Sequence, residues 1–216
     1  MRLRPEEPAA GPWRVEPIVD VVTRLLGEAP QPAVIGVDGR SSSGKTTLAR
    51  RMAEAVAGAG ATAVVHSDDI AWHHSIFGWI DLLLEGVVEP VRAGRAVAFR
   101  PPAWDARDRR GAVMVPAGTG LLIVEGVGVG RPELAEVLDA TVWVQSDLDE
   151  IERRNLVRVD AGEISPAGYE QWMAEEVPFL AEQRPWAHAD MVVAGTPSLT
   201  HDPATEVVVA PPPGRR

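Results

Sequence analysis

Eight consecutive residues, Gly39-Arg40-Ser41-Ser42-Ser43-Gly44-Lys45-Thr46, fit the G-x-x-x-x-G-K-[ST] spacing of the Walker A phosphate-binding loop, or P-loop. Glycines at both ends let the backbone curl until successive N–H groups face an anion. Lys45 supplies a point charge for the β- and γ-phosphates of a nucleotide, and the Thr46 hydroxyl is a natural ligand for Mg²⁺. Gly39 to Thr46, together with Thr47, are therefore the candidate ATP-binding residues. Carboxylates stand at two more places where an apolar, β-prone run stops. Asp68 and Asp69 follow Ala61–His66, and Glu125 closes Leu121-Leu122-Ile123-Val124. Either aspartate could take the proton of an attacking hydroxyl and help hold Mg²⁺, while the other caps the next helix. Glu125 is placed to bind Mg²⁺ directly or through water.

Further along, Arg154 and Arg158 are four residues apart in a charged stretch and share a helix face, with Arg153 beside them. Phosphoryl transfer spreads negative charge over the moving group, which arginines on a lid can offset. The competing reading pairs them with Asp147, Asp149, Glu150 and Glu152 on a solvated face. The span Trp72–Trp79 is aromatic and bears His73 and His74. With Asp69, Trp104 and Asp105 it supplies the candidate acceptor-binding residues: Asp69, Trp72, His73, Trp104 and Asp105. The histidines show no metal-site spacing.

These groups need elements to carry them. Apolar, β-prone runs at 33–37, 61–66, 120–126, 141–145 and 191–194 predict buried strands. Helical patterns cover 18–26, the residues after the loop, 80–88, 132–138, 147–159 and 165–182. A short strand is expected at 96–100, loop at 101–120, and an edge strand at 207–209. Alternating strands and helices predict an α/β fold, three layers with a mainly parallel five-stranded sheet and helices on both faces. Such sheets bind ligands at the carboxyl ends of their strands. The loop, Asp68/Asp69 and Glu125 all fall at such ends. One domain is expected over 1–216, with a loose arm at 1–15, a helical lid at 147–184, and a tail at 197–216 whose end is frayed.

Composition narrows the classes. With 216 residues, 45% of them hydrophobic, the chain can bury a full core. There is no cysteine, hence no disulfide, thiolate nucleophile or cysteine zinc site. A formal net charge of −10 argues against nucleic-acid and anionic-membrane partners, and requires any phosphate site to be locally basic. No apolar run reaches membrane-spanning length, and the first residues lack the apolar centre of a signal peptide. A cytoplasmic monomer or homodimer is expected. Two functional readings follow: an ATP- and Mg²⁺-dependent phosphotransferase acting on a small-molecule hydroxyl, and a nucleotide-binding switch protein without an acceptor. A switch needs a water-positioning residue and protein partners, whereas the aromatic span favours a pocket.

Taken in order, Gly36-Val37-Asp38-Gly39 through Leu48, Ser67-Asp68-Asp69 and Val124-Glu125-Gly126 resemble the uridine kinase, phosphoribulokinase and bacterial pantothenate kinase group. Trp104-Asp105, the arginines after Ser146-Asp147, and Ala189-Asp190-Met191-Val192-Val193 extend the resemblance over about residues 33–195. It implies ATP-dependent phosphorylation of a small-molecule hydroxyl. Asp68 then matches the general base, Glu125 the magnesium-linked acid, Asp105 a ligand of acceptor hydroxyls, and the arginines the lid. An aromatic residue is usual three positions after the base in uridine kinases. Here that slot is Ala71, which implies an acceptor other than uridine or cytidine.

Overall fold

The computed structural model describes residues 1–58 and 60–213. Its main sheet has seven strands in the order β1-β9-β8-β7-β2-β6-β3. These are β1 (Arg14–Pro17), β2 (Ala33–Gly39), β3 (Thr62–His66), β6 (Leu121–Glu125), β7 (Ala140–Gln145), β8 (Met191–Ala194) and β9 (Glu206–Ala210). The five strands expected from the sequence, β2, β3, β6, β7 and β8, are parallel. Two antiparallel strands extend the sheet at one edge: β9 pairs with β8, and β1 pairs with β9.

The central strands are buried on both faces, and their residues divide with period two. In β2, Ala33, Ile35 and Val37 face one core cluster with Leu121 and Ile123 of β6, while Val34 faces the other with Leu122 and Val124. Helices α1 (Ile18–Leu26) and α2 (Lys45–Ala55) cover the first face. On the second face lie α3 (Ser67–Ala71) and α4 (Ile80–Leu83), the latter running through a π turn into α5 (Glu89–Arg92). The helices expected at 147–159 and 165–182 are α7 (Leu148–Asp160) and α8 (Pro166–Gln183), and a single turn, α9 (Pro185–His188), follows. The expected helix at 132–138 contracts to a 3₁₀ turn, Pro132–Leu134.

Two segments differ from expectation. The stretch 101–120 is not all loop: it holds α6 (Pro102–Ala106) and β5 (Val113–Val115), which pairs with β4 (Val97–Phe99) in a small second sheet. The 1–15 arm is not loose either. Ala10 N–H donates to Gln145 Oε1 at 2.9 Å, and Arg2 bonds the start of α7 through both its N–H and its carbonyl. Glu7 is buried. The tail likewise returns as β9, and the frayed end expected beyond Pro213 lies outside the described residues.

Strand register sets the site. Val37 and His66 both stand level with Glu125, so the carboxyl ends of β2, β6 and β3 are flush. A buried side chain joins two of these ends. Asp38 accepts from Gly39 N–H (2.6 Å) and Gly128 N–H (2.9 Å) on one oxygen, and from Gly130 N–H (2.8 Å) on the other. It thereby ties the loop after β2 to the loop after β6. Asp38→Asn turns one acceptor oxygen into an NH₂ facing a buried N–H. The expected loss is about 1–3 kcal/mol, read as a fall in Tm of roughly 2–4 °C per kcal/mol for a chain of this length. An unchanged Tm would show that these three bonds hold nothing in place.

Candidate active site

The phosphate-binding loop leaves β2 and enters α2 through Gly44, whose φ of 105° lies in the left-handed region that favours glycine. Among the described residues no side chain caps α2, so its first N–H groups stay free for an anion. Lys45 Nζ donates to the Arg40 carbonyl at 2.9 Å. The Thr46 hydroxyl donates to Glu125 Oε1 at 2.9 Å. Other elements grip the same loop. Ser146, after β7, donates its hydroxyl to the Ser43 carbonyl (2.8 Å), and Ser42 donates its hydroxyl to Asn155 of α7 (2.6 Å). Arg154 of α7 donates to the Ser42 carbonyl (3.1 Å), and Ser41 N–H donates to Glu176 of α8 (3.0 Å).

Two adjoining cavities open here. The larger, about 960 Å³, is lined by Ser41, Ser42, Gly44, Lys45, Thr46, Thr47, Asp68, Glu125 and the three arginines Arg153, Arg154 and Arg158. Its far wall is built by Ala194 at the end of β8, Gly195 and Pro197 just after it, and His201 and Pro203 of the tail. Gly39, Arg40 and Ser43 do not line it: they form the underside of the loop, where Gly39 packs on Val144 with no room for a Cβ. The smaller cavity, about 500 Å³, is lined by Trp72, His73, His74, Ser75, Gln171 and Trp172. Asp68, Gly168 and Trp172 belong to both.

Of the five acceptor candidates, Trp72 and His73 line the smaller cavity. The other three stand elsewhere. Trp104 is buried; its indole N–H donates to the Asp69 carbonyl (2.8 Å) and its ring lies 3.7 Å under the Arg109 guanidinium. Asp69 is paired with Arg109 at 2.5 Å. Asp105 is turned to Arg100 (2.7 Å) with its side chain largely in solvent. An indole carries too much apolar area to leave exposed, and each of the two carboxylates is paired with an arginine.

Electrostatics differ among the acids. Burial raises the Asp68 carboxyl above its ordinary value, with Lys45 pulling against it. Burial pushes Asp38 up to about 6, opposed by its three N–H donors and Lys45. Glu125 goes the other way: despite burial, the bond from His66, the Lys45 charge and Thr46 hold it below its ordinary value. The arginines of α7 are paired. Arg153 and Arg154 share Glu150 (2.7 and 2.8 Å), and Arg158 meets Glu163 (3.3 Å). Among the described residues no group of three or more His, Asp or Glu is arranged to hold a metal ion. The donor set nonetheless suits Mg²⁺, which takes one or two carboxylates and completes its shell with phosphate oxygens and water. Thr46, Glu125 and Asp68 are the residues that would hold it.

Several contributors carried no motif. Asn155 occupies the third place of the buried stripe Leu148, Ile151, Asn155 on α7. An amide at an apolar position of a helix is a readable signal. Glu176 is 1% exposed and accepts from the Trp172 indole (2.6 Å) as well as from Ser41. No pattern in α8 marks it.

His66 Nδ1 lies 2.5 Å from Glu125 Oε1, and that bond raises the His66 pKa above its ordinary 6.5 against the opposing effect of burial. A raised folded-state pKa stabilises the fold fully below the unfolded value and loses that contribution as pH rises through the folded one. The Tm gap between the native protein and His66→Gln is therefore expected to be widest below pH about 6.5 and to close at higher pH. Melting both proteins across that range checks it; a gap that widens with pH would mean the pair is not held by the imidazolium.

No family model matches the chain, and no curated protein matches it in sequence. The likeness is to solved structures. A candidate fructose transport system kinase from Silicibacter sp. superposes with a TM-score of 0.61 at 16% identity, over 82% of this chain and 98% of that one. A possible uridine kinase from Bacillus stearothermophilus gives 0.50 at 17% identity, over 81% and 96%. D-glycerate 3-kinase from Cryptococcus neoformans gives 0.50 at 11% identity, over 85% and 95%. Sheet order, loop and flanking helices together give this chain the fold of the P-loop kinases of the uridine kinase-like group.

Proposed function

We propose that the protein is an ATP- and Mg²⁺-dependent phosphotransferase that moves the γ-phosphate of ATP to a hydroxyl of a small molecule. One observation carries this reading: Asp68 lies in the wall shared by the phosphate-loop cavity and the aromatic cavity. A nucleotide switch has no use for a second cavity that meets the first at a buried carboxylate. The fold shared with small-molecule kinases supports the same reading.

In this scheme the loop amides and Lys45 hold the β- and γ-phosphates, and Lys45 exchanges the Arg40 carbonyl for phosphate oxygen. Thr46, Glu125 and Asp68 would hold Mg²⁺, which would supply positive charge against the negative charge that develops on the phosphates. An acceptor in the smaller cavity is held against Trp72, His73 and Trp172. Its hydroxyl oxygen attacks the γ-phosphorus, Asp68 takes the hydroxyl proton, and the bond to the β-phosphate oxygen breaks. Burial, by raising the Asp68 pKa, makes it a better proton acceptor. Arg154 and Arg158, released from Glu150 and Glu163, offset charge on the group in flight.

Purified protein, ATP and a panel of hydroxylated metabolites test the scheme, with ADP release as the readout. Release that depends on one class of added alcohol is the expected result; release indifferent to every alcohol supports the switch reading. Asp68→Asn is expected to lower kcat by about 10²–10⁴-fold while ATP still binds, whereas Lys45→Ala loses both turnover and ATP affinity. If Asp69→Asn, and not Asp68→Asn, is the variant that binds but does not turn over, the base is assigned one residue too early. With Ala71 beside the cavity, uridine and cytidine are expected to be poor acceptors. A kcat/KM for uridine of about 10⁴ M⁻¹s⁻¹ or more would overturn that.

A further inference from the structure

The first residue of the phosphate-binding loop after Gly39 points away from both cavities. The Arg40 side chain is 4% exposed, and its partner is Glu7, whose side chain is 1% exposed and thirty-three positions earlier in the chain. Arg40 Nε and Nη2 each lie 2.9 Å from Glu7 Oε2. The other carboxylate oxygen is also occupied: the Trp143 indole N–H donates to Oε1 at 2.8 Å and the Gln145 amide at 3.2 Å, both from β7. Glu6 adds a second carboxylate 3.6 Å from Arg40, and the guanidinium lies 5.7 Å from the Trp186 ring centre. A carboxylate so fully engaged has one position and one orientation, and so does the arginine it holds.

That matters because of what Arg40 does with its backbone. Its carbonyl is the acceptor for Lys45 Nζ, and its side chain is the anchor that sets where that carbonyl lies. A chain of contacts therefore runs from β7 through Glu7 and Arg40 to the lysine that faces the phosphates. Five residues upstream of Glu7, Arg2 bonds Asp147 (2.6 Å) and Leu148 (2.9 Å) at the start of α7, the helix that carries Arg154 and Arg158.

We infer that Glu7, in the N-terminal arm, is a positioning residue of the nucleotide site, acting through Arg40 to set the phosphate-binding loop and Lys45. The inference rests on the loop being the ATP site. Glu7 touches neither cavity, so it acts on affinity for the nucleotide without contacting it.

The test is a cycle of four proteins, native, Glu7→Gln, Arg40→Gln and the double variant, each titrated calorimetrically with a non-hydrolysable ATP analogue and melted alongside. Glu7→Gln keeps the shape but sets an NH₂ against the guanidinium. Its Kd is expected to rise roughly 10–100-fold, by analogy with the cost of removing the groups that orient metal ligands from behind. In the Arg40→Gln background, where two amides can pair, the same change is expected to leave Kd unaltered, because the two residues act as a unit. A merely structural role predicts the opposite: a lower Tm with Kd unchanged, or equal fold-changes in both backgrounds. Either result overturns the inference. If the unpaired arginine of Glu7→Gln prevents folding, Glu7→Asp, which keeps the charge and shortens the reach, takes its place in the same cycle. Native protein that fails to bind the analogue at all would sink the ATP-site reading and this inference with it; native and variant proteins that bind equally would sink the inference alone.

Discussion

A loop built to wrap an anion must be held open by its own protein before the anion arrives. Its N–H groups converge, a lysine stands among them, and no regular structure pairs them. This chain solves the problem by giving successive loop residues different tethers. Asp38 holds Gly39, Glu7 holds Arg40, Glu176 holds Ser41, Asn155 holds Ser42 and Ser146 holds Ser43. These tethers come from a strand end, the N-terminal arm, both long helices and the segment after β7. The loop's shape is thus a statement about the tertiary structure, and much of that structure exists to make it.

The same arrangement bears on how an acidic protein could keep the proposed site for a polyanion. The overall charge is −10, and Asp68, Glu125 and Glu176 all lie near the loop. Each acid is offset locally. Lys45 lies near Asp68 and Glu125, His66 bonds Glu125, and the Glu176 carboxylate is met by the Ser41 and Trp172 N–H donors instead of by a cation. The arginines of α7 are likewise held by acids of their own helix region, within exchange distance of the cavity they line. On the proposed reading, charge is stored in pairs that an incoming nucleotide would rearrange, at less cost than importing or burying a new ion.

What was legible in the sequence follows the range of the interactions involved. The loop, the parallel strands and the acids at their ends are local: each is a residue type at a fixed offset from an apolar run, and all recur in the structure. The α7 arginines were legible for the same reason. What was not legible depends on contacts between distant segments. Glu7 in a run of Pro, Glu and Ala reads as solvated until Arg40 and Trp143 are found beside it. β1, four residues ending in Pro17, has too little pattern to register and exists because β9 offers an unpaired edge. Trp104 and Asp105 were adjacent candidates for one pocket, yet a helix turn sends the indole inward and the carboxylate out. Arg109, 5.0 Å from the Trp72 ring centre and 3.7 Å from that of Trp104, was invisible in a stretch read as loop.

Helix α8 touches nearly everything that has to act together. Glu176 is bonded to the phosphate-binding loop, Trp172 and Gly168 line both cavities, and Phe179 stacks on Phe77, at 3.7 Å between ring centres, in the segment that carries the smaller cavity's aromatic wall. The two cavities therefore share one helix as a wall. Whatever displacement of α8 one occupant imposes is a change in the shape offered to the other, and linkage requires the factor to be the same in both directions. On the proposed reading, synergy between nucleotide and acceptor would be a property of one helix, written in the wall they share.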